Sequence, residues 1–130
     1  MKKKKVIDIK KLKKKAWDLC SKYVRQRDLG RCITCGDIRD WKEQNAGHFM
    51  HGSTTPIYLD ERNVNCQCVK CNKWLGGNLD VYAMVLIRKY GRGIIEKLVQ
   101  QKYIIKKFKV GELQEIIDKY TQKIKKLCQE

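Results

Sequence analysis

Apolar residues recur at helical spacing over residues 8–27, at Ile9, Leu12, Ala16, Leu19, Cys20, Tyr23 and Val24. Asp8 suits the N-cap of such a helix, and Gly30 stands where a left-handed C-cap would close it. The pattern then shortens. Residues 44–50 and 62–68 have the length of strands, with Gly52, Ser53, Thr54, Thr55 and Pro56 as the excursion between them. Residues 69–75 start a helix that Gly76 and Gly77 stop, and Asn78 caps a second over 79–90, closed by Gly91. Ile94, Ile95, Leu98 and Val99 predict a short helix. Leu113, Ile116, Ile117, Tyr120, Ile124 and Leu127 form one stripe over residues 111–128. The predicted class is α+β: a small ββα core flanked by several α-helices, the first basic and the last amphipathic. The last stripe either packs on its own core or pairs with a second chain, which makes it the candidate contact of a homodimer. The expected division is a basic flexible arm at 1–7, a core at 8–109 and the amphipathic helix at 110–130.

Charge narrows the partners. Thirty Lys and Arg stand against 14 Asp and Glu, a formal net charge of +16. A small protein this basic meets a polyanion, nucleic acid before membrane. No apolar run could span a bilayer, and the opening lysines are not followed by a signal-peptide segment, so a reducing compartment is expected. Lys10, Lys11, Lys13, Lys14 and Lys15 fall opposite the apolar face of the first helix. They read either as a phosphate-tracking surface or as a solvated face. Arg31, Arg62, Lys70 and Lys73 complete the candidate DNA contacts.

Seven cysteines, an odd number, fit thiolates and metal better than a disulfide framework. Cys32 with Cys35 and Cys68 with Cys71 are two CxxC pairs roughly 30 residues apart, the spacing of a closed four-thiolate zinc site. The zinc is then structural and staples the ββα core. Cys66 becomes a strand residue, and Cys20 and Cys128 small buried hydrophobes. A rival uses Cys32, Cys35, His48 and His51 in the manner of a C2H2 finger. Its last spacer is one residue short, glycines flank its histidines, and it leaves Cys68 and Cys71 without a role.

Between and beside the knuckles stand His48, Asn63 and Asn72. Phosphodiester hydrolysis needs an activated water and relief of negative charge. A neutral imidazole at His48 can take the proton. Asn72, fixed by the cysteine before it, can give an oxygen to a hard divalent cation, magnesium most readily. Asn63 suits stitching the loop to the hairpin. Trp17, Trp41 and Trp74 could stack on unpaired bases, although core burial is the commoner fate and is expected of Trp74 beside the knuckle.

Cys32-x2-Cys35, Ala46-Gly47-His48-Phe49, Asp60-Glu61-Arg62-Asn63-Val64, Gln67-Cys68-x2-Cys71-Asn72 and Leu75-Gly76-Gly77-Asn78 resemble the bacteriophage NinG (Rap) recombination endonucleases, an HNH group with a treble-clef zinc core. The resemblance runs from the Lys-rich helix through Gly91. It implies a structure-specific endonuclease acting on branched or single-strand-containing DNA, D-loops and Holliday junctions among them, in the cytoplasm of a bacterial host. It makes His48 the general base, Asn72 a ligand of the catalytic metal, and Asn63 a support. One departure stands out: many HNH enzymes carry an aspartate directly before the histidine, and here that position is Gly47. Asp60, His51 or water could supply the missing ligand, Asp60 first because a carboxylate suits a hard ion.

Overall fold

A computed structural model describes residues 7–129, so the predicted arm lies outside the described residues apart from Ile7. Helix α1 (Ile9–Arg27) starts as predicted, with the Asp8 carboxylate accepting from the backbone N–H groups of Lys10 and Lys11. Just past its end Gly30 has φ +71°, and a Cβ there would lie 1.8 Å from the Arg39 carbonyl oxygen. The position therefore needs glycine for room as well as for backbone freedom.

Strands β1 (Asn45–His48) and β2 (Val64–Gln67) form one antiparallel pair, with Gly47 opposite Asn65 and His48 opposite Val64. Both are shorter than predicted. The segment between them is a chain of turns tied to Asn63, whose side chain accepts from the Met50 N–H and donates to the carbonyls of Met50 and Ile57. Residues opposite one another share a face. Ala46 and Val64 pack in the core built by α1, whereas Asn65 reaches Tyr82 and Gln67 reaches the Gly77 carbonyl on the other side.

Two apolar cores flank this hairpin. One joins Ala16, Cys20 and Val24 of α1 to Leu59, Val64 and the start of α4 (Val110–Gln129). The other joins Phe49 and Ile57 to α2 (Leu79–Tyr90) and α3 (Ile94–Lys102) through Tyr82, Leu86, Ile94 and Leu98. Leu113, Ile117 and Tyr120 are buried on α1, and the Tyr120 hydroxyl donates to the Leu59 carbonyl. Leu113, Ile117 and Tyr120 of the C-terminal stripe are thus spent on the chain's own core, while Ile116, Ile124 and Leu127 stay half-buried. Lys123 pairs with Glu61 and lies over the Tyr23 ring near the end of α1. Beyond that point little covers α4, so Cys128 is exposed where a buried thiol was predicted.

The predicted helix over 69–75 is a single π-helical turn (Lys70–Trp74), in which the Leu75 N–H donates to the Lys70 carbonyl. In an α-helix, residues three apart share a face. The wider turn breaks that relation. Cys71 points inward and is buried, while Trp74 points outward at 82% exposure instead of entering the core. Asn78 also departs from expectation. It sits in the left-handed region at φ +47° and caps nothing with its side chain, which instead donates to the Cys71 sulfur.

Candidate functional site

The sulfurs of Cys32, Cys35, Cys68 and Cys71 all lie within 4.8 Å of one another. A tetrahedron with Zn–S bonds of about 2.3 Å has edges near ~3.8 Å, and Cys35 and Cys68 are 3.7 Å apart at sulfur. The surrounding donors suit thiolates. The N–H of Cys35 faces the Cys32 sulfur at 3.5 Å, that of Cys71 faces the Cys68 sulfur at 3.4 Å, and the Thr34 hydroxyl lies 3.3 Å from Cys32. The four cysteines are therefore positioned to bind a metal such as zinc. Cys66 stays out of the cluster, and burial pushes its thiol up to about 12, which keeps it protonated. Neither histidine joins, so the C2H2 alternative has no support in the geometry.

His48 closes β1 on the α1 side of the hairpin. Its ring is half-buried and nearly parallel to those of Trp17 and Tyr58, with centroids 4.7 and 5.2 Å away. Nε2 lies 2.9 Å from the Tyr58 carbonyl oxygen. A carbonyl only accepts, so Nε2 carries the proton and Nδ1 is left with its lone pair. Burial lowers the His48 pKa; the Tyr58 carbonyl opposes this and the neighbouring His51 adds to it.

Asn72 follows Cys71 in the π-helical turn and meets β1 at Gly47. A Cβ at Gly47 would lie 3.1 Å from Asn72 Oδ1 and 2.1 Å from Gln67 Oε1. This explains the glycine where an aspartate was looked for. The Gln67 amide fills that space, with Nε2 donating to the Gly77 carbonyl at 2.7 Å and to the Thr34 hydroxyl at 3.2 Å. Its oxygen is buried without a hydrogen-bond donor. Sequence reasoning overlooked Gln67; its only signal was its place between two predicted cysteine positions in a buried strand. Below the same strand the Tyr82 hydroxyl donates to the Gly47 carbonyl at 2.7 Å and accepts from Asn65 Nδ2, while Arg27 donates to Asn65 Oδ1.

Trp17 borders both His48 and the cleft that Asn72 lines. That indole stacks on His48 and also lines a cleft of about 280 Å³ with Arg25, Ala46, Asn72 and Lys73. Asn63 sits apart, fully buried, holding the turns that carry Tyr58. Asp60 is not at the cleft: both of its oxygens bind Arg62, at 2.8 and 3.1 Å for the guanidinium, and it shapes the turn before β2. It is a turn residue, not a ligand beside Asn72, and Arg62 is correspondingly engaged. His51 is exposed, 6.1 Å from the His48 ring, and lines a separate cavity with Leu79, Asp80 and Lys102. Among the described residues the only group of three or more potential histidine, cysteine or carboxylate ligands is the cysteine cluster. The side-chain oxygens lining the cleft are those of Ser21, Gln44, Asn45 and Asn72, which suit a hard cation but bring no charge of their own.

The basic candidates divide similarly. Lys13 is not a free phosphate contact, since it donates to the Ser53 carbonyl and lies over the Tyr58 ring. Lys14 pairs with Asp18 at 2.9 Å, whereas Lys10, Lys11, Lys15, Arg31, Lys70 and Lys73 are exposed.

Gly47→Asp tests the packing directly. The added carboxylate is expected to collide with Gln67 and to lower stability by about 1–3 kcal/mol, seen as a reduced urea midpoint. Gln67→Ala in the same chain should recover part of the loss. An unchanged midpoint for Gly47→Asp alone would show that the cradle is not tight.

The architecture and cluster define a small α+β protein with four cysteines positioned to bind a metal. A family model described as Bacteriophage Lambda NinG protein matches residues 1–130, and the chain belongs to that family. It is 33% identical over 116 residues to Protein ninG of Escherichia phage 933W, covering 88% of this chain and 57% of that protein. The corresponding protein of Salmonella phage P22 is 31% identical and that of Escherichia phage lambda 30%, each over 88% of this chain and 56% of the relative. The chain thus spans somewhat over half the length of these relatives. No solved structure matches. No helix among the described residues is long and apolar enough to cross a membrane.

Proposed function

We propose that the protein is a zinc-stapled HNH-type endonuclease of the ββα, treble-clef kind, acting on branched DNA in phage recombination. The observation that carries this reading is His48. Its Nε2–H is held by the Tyr58 carbonyl, its Nδ1 is free to accept a proton, and its ring stacks on Trp17, which lines a cleft with Asn72. In the proposed reaction Nδ1 takes a proton from the attacking water, and the Tyr58 carbonyl stabilises the imidazolium that forms. Asn63 positions Tyr58 by holding the intervening turns. Asn72 orients the phosphate, and Arg25 and Lys73 in the same cleft offset its charge. A divalent cation bound by Asn72 and by the substrate's own phosphate oxygens would supply further charge neutralisation.

Affinity in this reading comes from phosphate contacts and falls steeply with salt. Paired nicks at a junction would call for two chains, joined elsewhere than along the buried part of the α4 stripe. The alternative is a non-catalytic zinc module that binds nucleic acid. It is favoured by one observation, that Asn72 has no carboxylate partner at the cleft.

Labelled duplex, flap and four-way DNA, with and without magnesium, separate the two. Branch-selective, magnesium-dependent cutting is expected. Binding without cutting would leave the zinc module.

The rate should also follow the His48 proton. A base must be neutral, and burial places this imidazole's pKa below its ordinary 6.5. Cutting is therefore expected to hold level as pH falls through 6.5 and to decline only at lower pH, measured as a single-turnover pH–rate profile. A decline centred above 6.5 would point to another base.

A further inference from the structure

The π-helical turn that carries Cys71 and Asn72 toward the interior carries Trp74 the other way. Its indole is 82% exposed, and Val69, Leu75 and Leu79 around it are each 41–50% exposed. An uncovered tryptophan three residues from the buried Cys71 is costly unless something covers it. The surroundings say what. Residues 62–79 contain no Asp or Glu, and Lys70 and Lys73, both exposed, stand in the same turn as Trp74. With a net charge of +16 behind it, this surface suits a polyanion that also presents a flat apolar face. An unstacked nucleobase joined to its phosphates has both properties. A base inside intact duplex does not offer its face, so the ring discriminates by strand state and not by sequence.

We propose that Trp74 is a stacking platform for an unpaired base, with Lys70 and Lys73 on the adjoining phosphates, and that it selects branched or single-strand-containing DNA over duplex. The inference rests on the nucleic-acid-binding part of the proposed function but not on catalysis. The turn's connection to the metal cluster makes the platform rigid. Cys71 anchors one end, and the Gly77 N–H donates to the Cys71 carbonyl at 2.9 Å at the other. Lys73, next to Trp74 in the same turn, also lines the cleft that holds Asn72.

The test is binding without added magnesium, using wild type, Trp74→Phe and Trp74→Ala against duplex, flap and four-way DNA. One base–aromatic stack is worth about 1–3 kcal/mol, or roughly 5- to 150-fold in affinity. Trp74→Ala is expected to lose that much on flap and four-way DNA and to stay within about twofold of wild type on duplex, while Trp74→Phe keeps most of the affinity. A 2-aminopurine at the unpaired position should change its fluorescence with wild type and not with Trp74→Ala. Zinc content and far-ultraviolet circular dichroism should match in all three, since the side chain supports no core. Equal affinity of wild type and Trp74→Ala for every DNA would overturn the platform while leaving the nuclease reading intact; a face that takes a protein instead gives this result. Equal loss on duplex and branched DNA would overturn the selectivity. If wild type binds none of these DNAs, the proposed function falls as well.

Discussion

Cys71→Ser is expected to strip the protein of its metal and of more than about 4 kcal/mol of stability, the range reserved for losses of this kind. The reason is positional. Cys71 anchors the turn that holds Asn72 against Gly47, and its neighbour Asn78 donates to its sulfur. Structural zinc contributes to folding outright because the unfolded chain holds no preformed site. A strong chelator should act in the same direction on the wild type. The control is Cys66→Ser, one strand residue away from the cluster and not part of it. It should keep one zinc per chain by atomic emission, with at most a modest packing cost. Loss of zinc from Cys66→Ser with retention in Cys71→Ser would mean that the ligand set is misassigned.

His48→Ala is expected to lower branch cutting by about 10²–10⁴-fold, the usual span for a positioned general base. Zinc content and DNA affinity should remain, because the imidazole is not part of the cysteine cluster and hydrogen-bonds only the Tyr58 carbonyl. Its removal does leave a gap beside Trp17 and Tyr58. His48→Gln therefore serves as the second variant, filling most of that space without a ring nitrogen of suitable basicity. Both should be inactive with wild-type thermal stability in the glutamine case. Cutting at the wild-type rate by His48→Gln would sink the assignment of this residue as the base.

Much of the local order was legible along the chain. The first helix, its Asp8 cap, the hairpin, the paired CxxC knuckles and the later helices follow from period, cap residues and metal spacing, which are local in origin. Boundaries and destinations were not. The strands are shorter because only four residue pairs find ladder partners between the knuckle and the turns. The chain allows Asp60 as a metal ligand or as a turn residue before β2, and Arg62, two residues on, binds both of its oxygens and decides for the turn. Trp74 looked like core because the helical period assigns it the side of Cys71, and a wider turn reverses that.

Gly47 shows the division most sharply. By itself the chain determined that Cys32, Cys35, Cys68 and Cys71 would converge, since paired CxxC turns suit one metal, and that Asn72 would directly follow the last of them. Only the tertiary structure decided that the space beside Gly47 is filled by the Gln67 amide from the neighbouring strand, and that the apolar stripe of α4 packs on α1. Both outcomes depend on which long-range surfaces meet. Side chains distant in sequence compete for the same volume, and no local pattern records who wins.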